Sequence, residues 1–249
     1  MAIRLPCPRF QAAFLVKNSP RDPSVLPPPG HAASGTDVGT EAGPVGGNVE
    51  KRRQILGGAR EIFLARGFDG ASMGEIARAA GVSKGTLYFY FASKEELFAA
   101  LVSEVCRQTA EQSFSLDVEA DVREALTRTG YRYVEAMIRP EHIATVRMVI
   151  GIAEQLPEIG RTYLAAGPDA GVEQLCGWLR AKCARGELVI DDLELAAWQF
   201  LVGCHALIVM PMLFGGPRER DAVTVDRVVR HAVESFLRSF AGPNLDRKA

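Results

Sequence analysis

Two Ser-x-x-Glu units, Ser72 to Glu75 and Ser93 to Glu96, bracket the segment Ala79-Ala80-Gly81-Val82-Ser83. In such a unit the serine oxygen accepts a hydrogen bond from the amide three residues on, and the glutamate reaches back towards the start of the same helix. Two helix starts are thereby fixed close together in the chain. Between them, small residues let two helices approach, Gly81 admits a left-handed backbone, and Ser83 caps whatever follows. The stretch is predicted to fold as a helix-turn-helix followed by the start of a further helix.

Spacing assigns the faces of its second helix, about Lys84 to Phe91. Leu87 and Phe91 lie four apart and join Val82, Ile76 and Ala77 on the packed side, and Phe89 is read as packing too. Lys84 and Tyr88 share another stripe, with Thr86 and Tyr90 beside it. A cation, a hydroxyl and two phenols near the amino end of a helix suit a reader of the major groove, because they combine groups that reach base edges with groups that hold the backbone. Lys94 is unusual, since a cation at the positive end of a helix is unfavourable unless an anion lies nearby. This gives it a phosphate to hold.

The run Gly81-Val82-Ser83-Lys84-Gly85-Thr86-Leu87-Tyr88-Phe89-Tyr90-Phe91, with Ser93-Lys94-Glu95-Glu96-Leu97 after it, resembles the amino-terminal DNA-binding domain of the TetR/AcrR family of one-component transcriptional regulators. The likeness covers about residues 50 to 100. It implies that Lys84, Gly85, Thr86, Tyr88 and Tyr90 face DNA, that Ser72, Ser83 and Lys94 hold phosphates, and that base choice falls mainly to Lys84 and its neighbours.

Net charge does not carry this function. The 249 residues sum to −1, so attraction to nucleic acid has to come from a local patch. Between Glu50 and Glu96 eight cations stand against six carboxylates, concentrated at the start of the first helix and on the reader. An apolar share of 47% with 24% charged residues is that of a globular protein with a core, and the reading is all-helical: nothing in the chain reads as a strand.

Residues 1–47, rich in Pro, Gly, Ser and Thr, are expected to form a disordered arm. Its Arg4, Arg9, Lys17 and Arg21 leave open a non-specific touch on DNA, against a passive tail or a start assigned too early. Its apolar cluster Ala12 to Val16 is too short for a secretory core, so export is not expected. A DNA-binding domain then spans 48–96, a helical ligand-binding and dimerisation domain 97–242, and a tail 243–249. The expected helices are 48–66, stopped by Gly67, the pair just described, 93–113, 118–138, 141–155, 157–166, 169–185, 193–214 and 221–240, punctuated by Pro140, Pro157, Pro168 and Gly186. Because the helix from Ser93 runs past the reader, it belongs to both halves.

The segments 149–159, 185–188 and 191–200 also resemble the effector domain of an AefR-like subgroup of the same family, which implies a cavity between central helices. Tyr131, Tyr133, Met137, Met148, Trp178 and Phe200 are its candidate lining, suited to a small hydrophobic or aromatic effector. Residues 196–216 carry no charged side chain and are long enough to cross a bilayer. Gln199, Gly203, His205 and Pro211 interrupt them, so burial at a subunit interface is favoured over a membrane. With the stripe Val225, Val228, Val229, Val233 and Phe236 they would form an intersubunit four-helix bundle, in which Val209 is the position to disrupt.

Five cysteines without C-x-x-C spacing and four scattered histidines give neither a disulfide framework nor a metal site, and no cofactor is expected. The cysteine usage fits a cytoplasmic protein. Glu154 with His205 is the best polar pair for catalysis and lacks a nucleophile, so no enzyme is expected. The sequence reading is a homodimeric repressor of a palindromic double-stranded operator, released by its effector. An activator of the same fold, or a non-specific architectural DNA binder, is the alternative.

Overall fold

The computed structural model describes residues 45–216 and 222–245. The predicted amino-terminal arm, apart from residues 45–47, lies outside them, as do Asp221 and residues 246–249. Among the described residues ten α-helices follow in order: α1 Val45–Gly70, α2 Met73–Ala79, α3 Lys84–Tyr90, α4 Lys94–Ser113, α5 Val122–Met137, α6 Pro140–Ile152, α7 Pro157–Leu164, α8 Ala170–Ala184, α9 Leu193–Leu213 and α10 Ala222–Phe240. No strand occurs among the described residues; Leu188 and Ala241 form an isolated antiparallel bridge.

Differences from the expected helices have local causes. Gly67 does break α1, with φ +70, but the chain resumes a helical turn as far as Gly70. α5 begins at Val122 rather than Val118, because Asp121 caps it by accepting from the Glu124 amide at 2.9 Å. Pro168 does not separate two helices. It sits within a π-helical turn, Ala165–Asp169, that joins α7 to α8; the wider ring tolerates the amide that proline lacks. Residues 243–245 are tied to the loop after α8, since the Asn244 amide donates to Gly186 O at 3.1 Å and its side chain to Arg185 O at 3.0 Å.

Two apolar cores organise the helices. One joins α1 to α4 and also takes Val149 and Ile152 of α6 and Ile159 of α7. The expected boundary at residue 96 is therefore no break in packing: α4 places Leu97, Phe98, Leu101 and Val102 in this core. The other core lies among α5, α8, α9 and α10.

By length and composition α9 is the described helix that qualifies as a membrane span, but it packs against α5, α8 and α10 within its own chain. Its two faces are distinct. Ala197, Phe200, Leu201, Cys204 and Ile208 are buried, whereas Leu195, Val202, Leu207 and Met210 are exposed. Val209 is 2% exposed and so belongs to the intramolecular face, which corrects its assignment to a subunit contact. The α10 stripe Val228, Val229, Val233 and Phe236 is likewise buried in its own chain.

Candidate nucleic-acid interface and effector cavity

Three serine caps fix the reader. Ser72 Oγ accepts from the Glu75 amide at 3.3 Å and donates to its carboxylate at 2.8 Å. Ser83 Oγ accepts from the Thr86 amide at 3.0 Å and lies 2.8 Å from Thr86 Oγ1. Ser93 accepts from the Glu96 amide at 3.2 Å, while Glu96 accepts from the Ala92 amide at 2.8 Å, one residue before the cap. The turn is held from behind: Gln54 on α1 donates to Ala80 O at 2.7 Å. Gly58 brings α1 so close that a Cβ there would stand 2.4 Å from the Ala80 nitrogen.

With α2 and α1 behind it, α3 buries Leu87 fully, and Phe91 just after it is buried under the Arg52 guanidinium, 5.3 Å from the ring centroid. Lys84, Gly85 and Tyr88 are exposed, Tyr88 by 52%, and Thr86 and Tyr90 are half-buried beside them. Phe89 does not pack as expected. It is 81% exposed, with its ring edge-on to Tyr90 at 5.4 Å, and so extends the outward face of α3.

Lys94, expected to hold a phosphate, has partners within the protein. Its amine donates to Phe68 O at 2.9 Å and Ala71 O at 3.2 Å, approaches Asp69 O at 3.5 Å, and lies 4.5 Å from the Phe68 ring centroid. An ammonium has three donors, and these carbonyls occupy them. They are also the negative partners that make a cation tolerable at the start of α4. Lys94→Met is therefore expected to destabilise the protein by about 1.5 to 3 kcal/mol, with the salt dependence of DNA binding unchanged; thermal unfolding and a salt titration check the two halves of this expectation.

Where α4 leaves the reader, buried Cys106 and Ala110 and half-buried Thr109 lead into a cavity of about 30 Å³. Tyr133 and Met137 of α5 line it, as two of the six sequence candidates. The other four have different positions. Tyr131 donates to Asp226 and ties α5 to α10, and Met148 packs against the core of the reader. Trp178 is buried with its indole donating to Asp117 O at 2.9 Å, and Phe200 sits edge-on to Phe236 at 5.6 Å. Aromatic or methionine identity alone cannot separate core from lining.

His142 of α6, Tyr163 of α7 and Gly167 and Pro168 of the π-turn complete the wall nearest α4. None of these was expected from the sequence to line a cavity. The available signal was Thr109, a hydroxyl on the apolar stripe of α4. Burial pushes the Cys106 thiol and the Tyr163 phenol up to about 12 and raises Tyr133 as well. It lowers His142 to about 4, helped by His205 and Arg139, so the imidazole is neutral. Every titratable group on this wall is held in its uncharged form.

A capped helix-turn-helix joined by a shared helix to a helical domain with a cavity defines a class of DNA-binding regulators. Residues 55–101 match the family described as bacterial regulatory proteins, tetR family, and residues 124–242 match the AefR-like transcriptional repressor C-terminal domain. The regulator SrpR of Pseudomonas putida is 27% identical over 192 residues, covering 75% of this chain and 84% of SrpR. The activator FasR of Mycolicibacterium smegmatis is 46% identical over 70 residues, only 32% of its own length. A TetR-family regulator from Mesorhizobium loti superposes with a TM-score of 0.74 at 27% identity, and the flavonoid-responsive regulator FrrA with 0.68 at 30%. Each covers 78% of this chain, which in turn spans 98% of each. The chain belongs to the TetR family of transcriptional regulators, and members of that family are regulators rather than enzymes.

Proposed function

We propose that this chain is a cytoplasmic homodimeric repressor that binds a palindromic operator and is released when a small hydrophobic effector enters the cavity beside α4. The observation that carries the reading is the double role of α4. Its first turns pack into the reader's core and its later turns line the cavity. A ligand that prefers a different placement of α4 thus changes the placement of α3. A coupling of about 1 to 3 kcal/mol changes affinity roughly 5- to 150-fold. The relatives include both repressors and an activator by name, and activation is the second reading.

In this proposal Lys84, Gly85, Thr86, Tyr88, Phe89 and Tyr90 face the groove, with Ser72 and Ser83 beside the backbone. One reader makes few contacts, so two are needed, reading half-sites about 34 to 36 Å apart. The exposed stripe of α9 is the pairing surface. Selection from random duplexes tests the reading: a two-fold symmetric consensus supports it, and equal affinity for all duplexes, as an architectural binder would show, overturns it. On the selected operator, Lys84→Ala is expected to cost about 1 to 3 kcal/mol and to relax preference at one position of each half-site. Competition with single-base variants at fixed salt reads this out.

A further inference from the structure

The chemical class of the effector follows from one histidine on the cavity wall. His142 is 4% exposed, its Nδ1 lies 3.3 Å from Thr109 Oγ1, and its Nε2 is buried with no hydrogen-bond partner. Thr109 has a single hydroxyl proton, and that proton is directed to Val105 O at 3.0 Å. Towards His142 the threonine oxygen can then only accept, so Nδ1 carries the imidazole proton and donates it. The remaining nitrogen, Nε2, is a bare acceptor on a side chain that lines this cavity, whose other described lining groups are uncharged, and that on its other side borders a polar hollow with Arg60, Arg139 and Glu141.

We infer that the cavity takes an uncharged, predominantly apolar molecule bearing a hydroxyl or N–H donor, which it gives to His142 Nε2. This rests on the ligand-released reading and deepens it. A buried acceptor left unpaired is costly, so a donor gains where an ether or a hydrocarbon does not. A carboxylate is rejected twice: it presents acceptors to an acceptor, and among the described residues no cationic side chain lines the cavity to offset its desolvation.

The space also dictates where the guest fits. About 30 Å³ holds roughly two water molecules, so a ring system has to widen it. The wall facing α4 is the π-turn and the start of α8, drawn close by two glycines. A Cβ at Gly167 would stand 3.0 Å from Cys106 Sγ, and one at Gly171 3.0 Å from the Phe114 ring. Because this wall rests directly on α4 and Phe114, a guest that widens the space bears on the same helix that carries the reader.

Three naphthalenes of similar size test the inference on the full-length protein at neutral pH: 1-naphthol, 1-methoxynaphthalene, which lacks the donor, and 1-naphthoate, which is charged. Calorimetry should show 1-naphthol binding at least about tenfold more tightly than the methyl ether, with naphthoate weakest. In His142→Leu the alcohol and the ether should bind alike, while His142→Gln, which keeps an acceptor, should restore part of the preference. Equal binding of alcohol and ether by the wild type, naphthoate binding as tightly as naphthol, or failure of all three to bind overturns the assignment. Release of the selected operator is read separately by anisotropy. Naphthol bound with the expected preference but without operator release counts against the ligand-released function and leaves the donor assignment standing; release by naphthoate alone does the reverse.

Discussion

Leu207→Glu combined with Met210→Glu is expected to convert the protein to a monomer and to weaken operator binding by about 10² or more. Both side chains are exposed on α9, Leu207 by 66%, so the substitutions leave the protomer's own core untouched. In a dimer, however, they would place four carboxylates in an apolar seam, where unpaired charges are not tolerated. The loss in DNA affinity follows from linkage, because the second half-site is read at a high effective concentration only while the two readers are joined, an advantage of about 10² to 10⁴. Light scattering and operator titration measure the two effects. A dimer that survives both glutamates would move the pairing surface elsewhere. Val209→Glu cannot serve, since it would fail through the protomer's core whatever the assembly.

Lys182→Met is expected to cost about 3 to 5 kcal/mol. The lysine is fully buried, 0% exposed, and its amine donates to Glu187 at 2.8 Å and to Ala120 O at 2.7 Å while lying 5.5 Å from the Trp178 ring centroid. Removing it leaves the Glu187 carboxylate buried without its 2.8 Å lysine contact, while Arg185 stands off at 3.8 Å. For a chain of this size the melting temperature should fall by roughly 6 to 20 °C, at about 2 to 4 °C per kcal/mol. Lys182→Met with Glu187→Leu should recover most of the loss, because apolar groups can replace a whole buried pair at little cost. Recovery would locate the destabilisation in the buried Glu187 carboxylate that has lost its lysine; its absence would locate it in packing around Trp178.

Much of this molecule is written in local chemistry. The caps at Ser72, Ser83 and Ser93 were legible because a capping serine acts over three residues, and the packed positions Leu87 and Phe91 because helical spacing alone places them together. The employment of Lys94 was not, since its carbonyl partners lie some two dozen residues earlier and meet it only through the fold. Lys182 reads as one more surface lysine until Ala120 and Glu187 surround it. The cavity was the least legible feature. Tyr133 and Met137 line it while Tyr131, Trp178 and Phe200 do not, and that difference is one of helix rotation and neighbours rather than residue type.

The core shared by α1 to α4 with Val149, Ile152 and Ile159 bears on how such a regulator can be re-engineered. A chimera spliced where the tetR-family match ends, at residue 101, would strip the graft of the apolar cover that α6 and α7 supply, and would leave Phe98 and Leu101 facing a foreign sensor. A transplantable unit would have to carry α6 and α7 along with the first four helices, or receive matching side chains from its new host.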